Sequence, residues 1–354
     1  MSLGRSAQVE KMDAPSGHCG WRKRAERRWL SLLVVALLTW GLPAAPSSAQ
    51  TAQTAQTAQT AQPADDFETI RARALELVNQ TRQEHNLPPL ALEDKLNKSA
   101  QAHADDMFTR RYYDHASLEG RTAYDRYISA DGSKWRLISE NIARCAGCRP
   151  PARVGVLNRL HREWMQSPEH RENILRKGLT HFGFGMVVDE EKLLYAVQNF
   201  AGPGLPRELQ PEEELAPLSA EGQARQALRL FNQAREQSGR APVEFSPALN
   251  GVAQAVLPDH GLEDFKLESR EDLLDALPRS ERQRWQSFSV MAANCGGCGA
   301  VPTAADVRFF AQQWLNDSSD KADLLDARVT HVGFIIASNG EGMKVALAVL
   351  GLGR

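Results

Sequence analysis

The sequence predicts an α+β fold in which one arrangement of helices and strands occurs twice. The chain has 354 residues, which is long for one domain and comfortable for two. From residue 65 apolar residues recur at helical spacing, and two strand-like segments follow before residue 204. Short sequences from this region return later in the chain, first 153 and then 150 residues further on. These observations predict two tandem copies of one α+β domain.

Residues 1–49 have the composition of an export signal. A basic region at residues 22–28 precedes an apolar segment from Leu30 to Leu42, which is too short for a typical membrane-spanning helix. The small residues Ser47, Ser48 and Ala49 follow this apolar segment and predict cleavage after Ala49. An uncleaved membrane anchor is the alternative. The sequence therefore predicts a secreted or periplasmic protein.

Residues 50–64 are a low-complexity tract in which Thr-Ala-Gln occurs four times in a row. Such a polar tract has nothing to bury, so we expect a flexible linker. Without residues 1–49 the chain keeps 35 basic against 41 acidic residues. This mildly acidic body excludes nucleic acid as an expected partner, because binding to phosphates requires a basic surface.

The first copy, residues 65–204, is predicted to contain helices followed by two strands. The first helix has its apolar stripe at Phe67, Ile70, Ala74, Leu77 and Val78, and the second runs from Asp94 to Thr109 with Leu96, Ala100, His103 and Met107 on one side. Residues 110–135 are predicted to be a loop, and residues 152–166 a helix. Ser167 and Pro168 predict the start of a further short helix. Strands are predicted at 182–188 and 193–200.

The Pro- and Glu-rich residues 205–219 are predicted to link this copy to a second one at 220–354. The recurring segments are 77–82 at 230–235, Cys145–Cys148 at Cys295–Cys298, Trp164 at Trp314, and 180–184 at 330–334. Two long gapless blocks with one net deletion indicate a tandem duplication.

A set of motifs in the first copy resembles the CAP superfamily, which comprises cysteine-rich secretory proteins, antigen-five allergens and plant pathogenesis-related proteins. The resemblance is greatest to the bacterial extracellular branch. The matching residues are Asn79, Arg82, His103, Ala104, Met107, His115, 140–143, Trp164, Ser167, Pro168, His170, Arg171, 173–175 and 195–200. The resemblance implies an α-β-α sandwich, hence two tandem α-β-α sandwich domains for the whole chain.

The resemblance also implies a cleft with two His and two Glu. His115, Glu140 and His170 match three of these positions. The fourth lies near Trp164, where Glu163 is the first candidate and Glu169 the second.

Two imidazoles and two carboxylates suit a divalent cation such as zinc. Glu140 and Glu163 are also candidates for general acid–base catalysis, and a purely structural polar network is the third interpretation. No Ser-centred nucleophile motif is present. We therefore expect a non-enzymatic binding module for a cation and a small-molecule, lipid or envelope ligand. The alternative is a metal-assisted hydrolase acting on envelope material or peptides.

The second copy lacks these cleft residues. Glu140, Glu163 and His170 correspond to Val290, Gln313 and Asp320, and the stretch equivalent to His115, residues 265–268, has no His. The tetrad is therefore not needed for the fold, which favours a functional role in the first copy. By the same comparison His181, which returns as His331, is predicted to be structural, as is His103 on its apolar stripe.

Beyond Cys19 in the leader, four cysteines form two C-x-x-C pairs: Cys145 with Cys148 and Cys295 with Cys298. In an exported protein an even number of cysteines favours disulfides, here as two local bonds. A four-thiolate zinc site shared between the copies and a redox-active dithiol are the alternatives. The two copies are expected to pack against each other.

Overall fold

The computed structural model describes residues 66–146, 148, 153–188, 193–258, 261–265 and 276–353. The predicted leader and Thr-Ala-Gln linker lie outside these residues, as do residues 266–268. Within the described ranges, no helix is both long enough and apolar enough to cross a membrane.

The first half contains five described helices and four strands. The helices are α1 (Phe67–Glu84), α2 (Asp94–Arg110), α3 (Ala123–Ser129), α4 (Arg153–Gln166) and α5 (Pro168–Leu175). The strands are β1 (Ala91–Leu92), β2 (Leu137–Ala146), β3 (His181–Val188) and β4 (Leu193–Gly202). They form one sheet in the order β1-β3-β4-β2, in which only the short β1 pairs in parallel.

Helices cover both faces of this sheet. On one face α2 packs on the strands through a cluster that includes Ala100, Met107 and Val197. On the other face α1, α4 and α5 contribute to a larger cluster that includes Trp164 and Phe182. The first half is therefore an α-β-α sandwich, as the sequence predicted.

Two glycines in β3 bring α2 close to the sheet. A Cβ atom on Gly183 would lie 2.3 Å from the Leu96 carbonyl carbon, and one on Gly185 would lie 2.2 Å from the Gln101 nitrogen. The close approach lets the Phe184 N–H donate a hydrogen bond to the Asn97 side chain at 3.0 Å. The strand motif therefore needs glycine for packing.

The sequence predicted most of these elements and missed one. Helix α1 buries Ile70, Ala74 and Val78 as expected, whereas Phe67 is 42% exposed and lies against Arg71. The predicted loop at 110–135 contains helix α3, and this prediction was wrong. A capping box starts α3: the Asp125 N–H donates to the Thr122 side chain, while the Asp125 side chain accepts from the backbone of Thr122.

The second half repeats the strand order of the first. Its helices are α6 (Ala220–Gln237), α7 (Pro247–Val256), α8 (Arg279–Arg282), α9 (Ala304–Asn316) and α10 (Ser318–Leu324), with a 3₁₀ turn at Leu262–Asp264. Its strands are β5 (Glu244–Phe245), β6 (Trp285–Cys295), β7 (Val329–Ser338) and β8 (Lys344–Gly353), in the order β5-β7-β8-β6.

The buried arginines of the two recurring segments have the same structural role. Arg82 is fully buried and donates to the carbonyl of Ile174 at 2.8 Å, near the end of α5. Arg235 is also fully buried and donates to the carbonyl of Leu324 at 2.6 Å, at the end of α10. Each arginine satisfies helix-end carbonyls that have no partner within their helix. The recurrence of this residue therefore reflects folding.

The two halves are in direct contact. Trp135 of the first half lies in an apolar cluster with Leu262, Met343 and Val345 of the second. Its carbonyl accepts a hydrogen bond from the Gly297 N–H at 2.7 Å. The predicted linker at 205–219 also packs against the second half.

This packing of the linker involves helix α9. Arg308 of α9 donates to the Glu208 carbonyl at 2.9 Å and pairs with the Glu213 carboxylate. Residues 205–219 thus lie between β4 and α6 and are held at their middle by an ion pair.

Candidate functional site

The centre of the site is the carboxylate of Glu140 on β2, which is 7% exposed. Its Oε2 accepts a hydrogen bond from Arg126 at 2.7 Å, and its Oε1 lies 3.0 Å from His115 Nδ1. With the Asn199 amide oriented to satisfy its neighbours, that side chain also donates to Oε2 at 3.1 Å. The buried carboxylate thus forms an ion pair with Arg126.

Arg126 comes from α3 and fixes the loop that carries His115. Besides Glu140, the guanidinium donates to the carbonyl oxygens of Arg121 at 2.7 Å and of His115 at 3.0 Å. The sequence analysis missed Arg126 because it missed α3. The signal that could have found the helix is the spacing of Thr122 and Asp125.

His115 presents its imidazole to the surface, with 57% of its side chain exposed. Because the carboxylate can only accept, His115 Nδ1 carries the proton and donates to Glu140. This tautomer leaves the Nε2 lone pair of the neutral imidazole available. Glu140 and His115 therefore form a carboxylate–imidazole pair.

His170 lies in the first turn of α5, where the sequence placed it. Burial lowers the pKa of His170, the positive charge of nearby His115 lowers it further, and Glu169 opposes both effects. The charge of His115 therefore acts on the His170 imidazole. Ser167 occupies the N-cap position with an extended backbone, but its hydroxyl makes no capping hydrogen bond.

Two asparagines fasten α5 to the strand that carries Glu140. The Asn141 amide donates to the His170 carbonyl at 3.1 Å. The Asn173 amide donates to the Glu140 carbonyl and to the Asn141 side chain, both at 3.0 Å. These hydrogen bonds explain why asparagine follows Glu140 and stands three residues after His170.

The structure places Glu163 away from this group. Its carboxylate is exposed and pairs with Arg159 at 2.8 Å along α4. Glu169 is exposed beside His170, and no contact among the described residues joins it to the Glu140 carboxylate. In the described part of the chain, no group of three or more His, Cys, Asp or Glu is arranged to hold a metal ion. The structure thus pairs His115 with Glu140 and places His170 on the helix that Asn141 fastens to the same strand, without a second glutamate.

His103 is a core residue that lies next to the Glu140 carboxylate. It is 1% exposed, its Nε2 donates to the Asp114 carbonyl at 3.0 Å, and it lies 3.9 Å from Glu140 Oε1. Its pKa is lowered, chiefly by burial. A neutral, buried His103 is what its apolar helix stripe predicted.

Part of the first half is similar to a known protein family. Residues 75–200 match the model of the cysteine-rich secretory protein family, CAP. This segment carries His115, Glu140 and His170.

Two bacterial relatives and one solved structure are similar to this part of the chain. Uncharacterized protein YkwD of Bacillus subtilis (strain 168) is 36% identical over 115 residues, which are 32% of this chain and 41% of that protein. Uncharacterized membrane protein YlbC of the same organism is 30% identical over 132 residues, 37% of this chain and 34% of that protein. The chain thus matches less than half the length of either relative.

Among solved structures, an extracellular protein containing an SCP domain from Bacillus anthracis str. Ames has 30% sequence identity and a TM-score of 0.32. The match covers 38% of this chain and 40% of that one.

The second half has different chemistry at the positions of the CAP site. Val290 pairs with Val349 across β6 and β8, where Glu140 pairs with Asn199 across β2 and β4. At the position of His170, Asp320 has its pKa raised to about 6 by burial and by the neighbouring charges of Asp317 and Asp323.

The four predicted disulfide cysteines form two local bonds. Cys145 is bonded to Cys148 and Cys295 to Cys298, with Cα–Cα distances of 5.9 and 6.1 Å. This agrees with the predicted local pairing rather than with a shared four-thiolate site. His181, the first residue of β3, and His331, the third residue of β7, were predicted to be structural, and they bond to Thr180 and Thr330.

Proposed function

We propose that the CAP domain is an extracellular, non-enzymatic binding domain whose cleft holds a divalent cation on His115 and His170. The observation that supports this most is the hydrogen bond from His115 Nδ1 to the buried Glu140 carboxylate, beside a largely exposed imidazole. A carboxylate behind an imidazole orients the ring and raises its basicity as a metal ligand. Zinc suits two such nitrogen donors, with water in the open positions.

Glu140 acts in this proposal through His115 and not as a ligand. Its charge is already matched by Arg126 and it accepts hydrogen bonds at both oxygens. Glu163, paired with Arg159 on the surface, has no part in the proposed site. The cation, when bound, supplies positive charge and open coordination positions for an anionic or polar group of a ligand.

The proposal extends to the rest of the chain. We propose that the second half is a degenerate copy of the CAP domain, since it repeats the strand order and the buried arginine but not the site. The two local disulfides favour an oxidising compartment, and with the predicted leader they support export as a secreted or periplasmic protein.

Metal analysis of the purified protein and calorimetric titration with Zn²⁺ test the proposed site. His115→Ala and His170→Ala should each abolish binding, while Glu140→Gln should weaken it about tenfold to a hundredfold by removing the orienting group. His181→Ala is the matched control, because this His lies at a strand start and bonds only to Thr180 in the described contacts. A wild-type protein that binds no divalent cation would refute the proposal.

The alternative, a metal-assisted hydrolase, is favoured by the same carboxylate–imidazole pair, which is also a general-base arrangement. Turnover of peptides and cell-envelope polymers by the zinc-loaded protein decides between the two. Activity that disappears in His115→Ala would establish the hydrolase, and its absence in a protein that binds zinc would leave the binding domain.

A further inference from the structure

The strand that carries Glu140 also carries an exposed arginine, which packs against an aromatic ring of the neighbouring strand. Arg144 lies near the end of β2, directly across from Tyr195 in the β2–β4 pairing. Its guanidinium carbon lies 5.8 Å from the centre of the Tyr195 ring. This cation–π contact holds the guanidinium in place. Among the described residues, Arg144 forms no ion pair with a carboxylate.

Tyr113 places a second aromatic ring beside this arginine. Its hydroxyl donates to the Ile142 carbonyl at 3.1 Å, and its ring centre lies 6.4 Å from that of Tyr195. The residue is nevertheless 44% exposed. Because its hydroxyl is engaged, Tyr113 offers a fixed ring face to a ligand. Tyr195 itself is buried, with 2% exposure. We call Tyr113 and Arg144 the Tyr113–Arg144 surface.

This surface continues from the proposed cation site. Alternate residues of a strand share a face, so Arg144 lies on the same side of β2 as Glu140, about 13 Å further along. Tyr113 bonds to β2 at Ile142, between these two residues, and it precedes His115 by two positions in the loop. One ligand can therefore extend from the imidazoles to Arg144.

We propose that the Tyr113–Arg144 surface binds an acidic saccharide, that is, a pyranose that carries a carboxylate. The planar guanidinium fork of Arg144 matches a carboxylate with two parallel hydrogen bonds. The apolar C–H face of a pyranose ring packs on the electron-rich face of Tyr113. An anion alone would use the arginine and leave this aromatic ring without a role.

The second half shows that the strand pairing does not require these side chains. Asn294 and Val345 pair across β6 and β8 in the register that Arg144 and Tyr195 have across β2 and β4. Both strand pairs are antiparallel, and the two sheets have the same strand order. The strand pairing therefore does not account for the exposed Arg144, which leaves a role in binding open to it.

This site goes beyond the proposed cation site and does not depend on it. Binding is measured by calorimetry in the presence of EDTA, with a short oligomer of galacturonic acid as the probe. The same oligomer with its carboxyl groups reduced to alcohols tests the need for the carboxylate, and inorganic phosphate tests for a site that takes any anion. Galacturonic acid as the monosaccharide tests whether one ring is enough for detectable binding.

Wild-type protein should bind the acidic oligomer, with the reduced oligomer at least about tenfold weaker, which is the loss of one charged hydrogen-bonded contact. Arg144→Ala and Tyr113→Ala should each weaken binding about tenfold or more, and Arg144→Lys should recover only part of the loss. Arg159→Ala is the matched control, because that arginine is exposed in the same half and pairs with Glu163.

Several results would overturn the inference. Equal binding of acidic and reduced oligomers would remove the role of the carboxylate. Phosphate that competes as well as the monosaccharide would show an anion site without sugar recognition. Unchanged affinity in Arg144→Ala would exclude the surface itself. Both substitutions are at exposed positions, and unfolding followed by circular dichroism verifies that each variant is folded. Zinc binding remains a separate measurement, so either proposal can fail alone.

Discussion

Glu140 and Glu163 show how differently two glutamates of one predicted site are held. Glu140 is 7% exposed and neutralises the buried Arg126, whereas Glu163 makes an exposed pair with Arg159. Glu140→Gln leaves the Arg126 charge without its partner, so we expect a loss of about 3–5 kcal/mol in the free energy of unfolding. Glu163→Gln should change it by less than about 1 kcal/mol.

Urea unfolding of both variants measures this difference. Equal, small losses would show that Glu140 is not the buried partner of Arg126. A large loss in Glu163→Gln would instead return that residue to the cleft.

Asp320 makes the stability of the folded protein depend on pH. Its pKa is raised to about 6 in the folded protein, from an ordinary value of 3.8, so the folded state binds its proton more tightly than the unfolded state. The resulting stability is fully present below pH 3.8 and is lost as the pH rises through 6. Above that pH the ionised Asp320 is repelled by Asp317 and Asp323.

Asp320→Asn should therefore raise the unfolding temperature at pH 7.5 and leave it nearly unchanged at pH 4. The side chain is partly exposed, so solvent screening limits the gain to less than about 1 kcal/mol. Thermal unfolding at the two pH values measures it. A gain of the same size at both would show that charge repulsion is not the cause.

At the scale of elements, apolar periodicity predicted the helices and strands whose pattern lies within a single segment of the sequence. Helices α1, α2 and α4 and the β3–β4 pair have strong apolar patterns, and their positions agree with the sequence. Helix α3 has seven residues and two tyrosines among polar neighbours, so its apolar period is too short to detect. Its only local signal is the capping box.

Tertiary contacts explain the remaining differences. Nothing in the sequence indicates that Arg126 meets Glu140, because this ion pair joins two elements through the fold. Glu163 was expected in the cleft because it adjoins Trp164, which is 3% exposed. Consecutive residues of a helix point about 100° apart, so the neighbour of a buried tryptophan can face the solvent. His115, Glu140 and His170 were predictable only as motif positions.

A buried ion pair joins helix α9 to strand β8 in the second half. Lys344 Nζ lies 2.6 Å from Asp306 Oδ2, and both side chains are excluded from solvent. Burial lowers the pKa of Lys344. The positions 150 residues earlier hold Val156 and Leu194, so the first half has an apolar pair in the same place.

Lys344→Met should cost about 3–5 kcal/mol, because it leaves Asp306 buried without its partner. The double substitution Asp306→Val with Lys344→Leu, which copies the first half, should recover most of this loss. Denaturant unfolding of wild type, the single variant and the double variant measures both steps. A double variant at least as unstable as the single one would show that the apolar pair does not fit here.

At the scale of the whole molecule, the second half retains what folding needs and lacks the site. Asn79 bonds to the backbone of Leu90 through both its amide nitrogen and its oxygen, and Asn232 bonds to Val243 in the same way. With the buried arginines, these contacts account for the recurring segments. Residues shared by both halves therefore identify the framework, and residues confined to the first half identify candidates for function.

Trp135 makes the two halves one cooperative unit in our interpretation. It is 8% exposed, it packs with Met343 and Val345 of the second half, and its carbonyl binds the Gly297 N–H beside the Cys295–Cys298 disulfide. Trp135→Ala should remove about 3–5 kcal/mol. Because this loss falls on the contact between the halves, we expect calorimetry to resolve two unfolding transitions where wild type has one.

Trp285→Ala is the matched control for this prediction. Trp285 is 5% exposed and packs within the second half against Phe288 and His331. Its loss should lower the unfolding temperature by weakening the core of the second half while Trp135 still joins the halves, so a single transition should remain. A single transition in Trp135→Ala, at a temperature close to that of Trp285→Ala, would mean that the remaining contacts suffice to couple the halves.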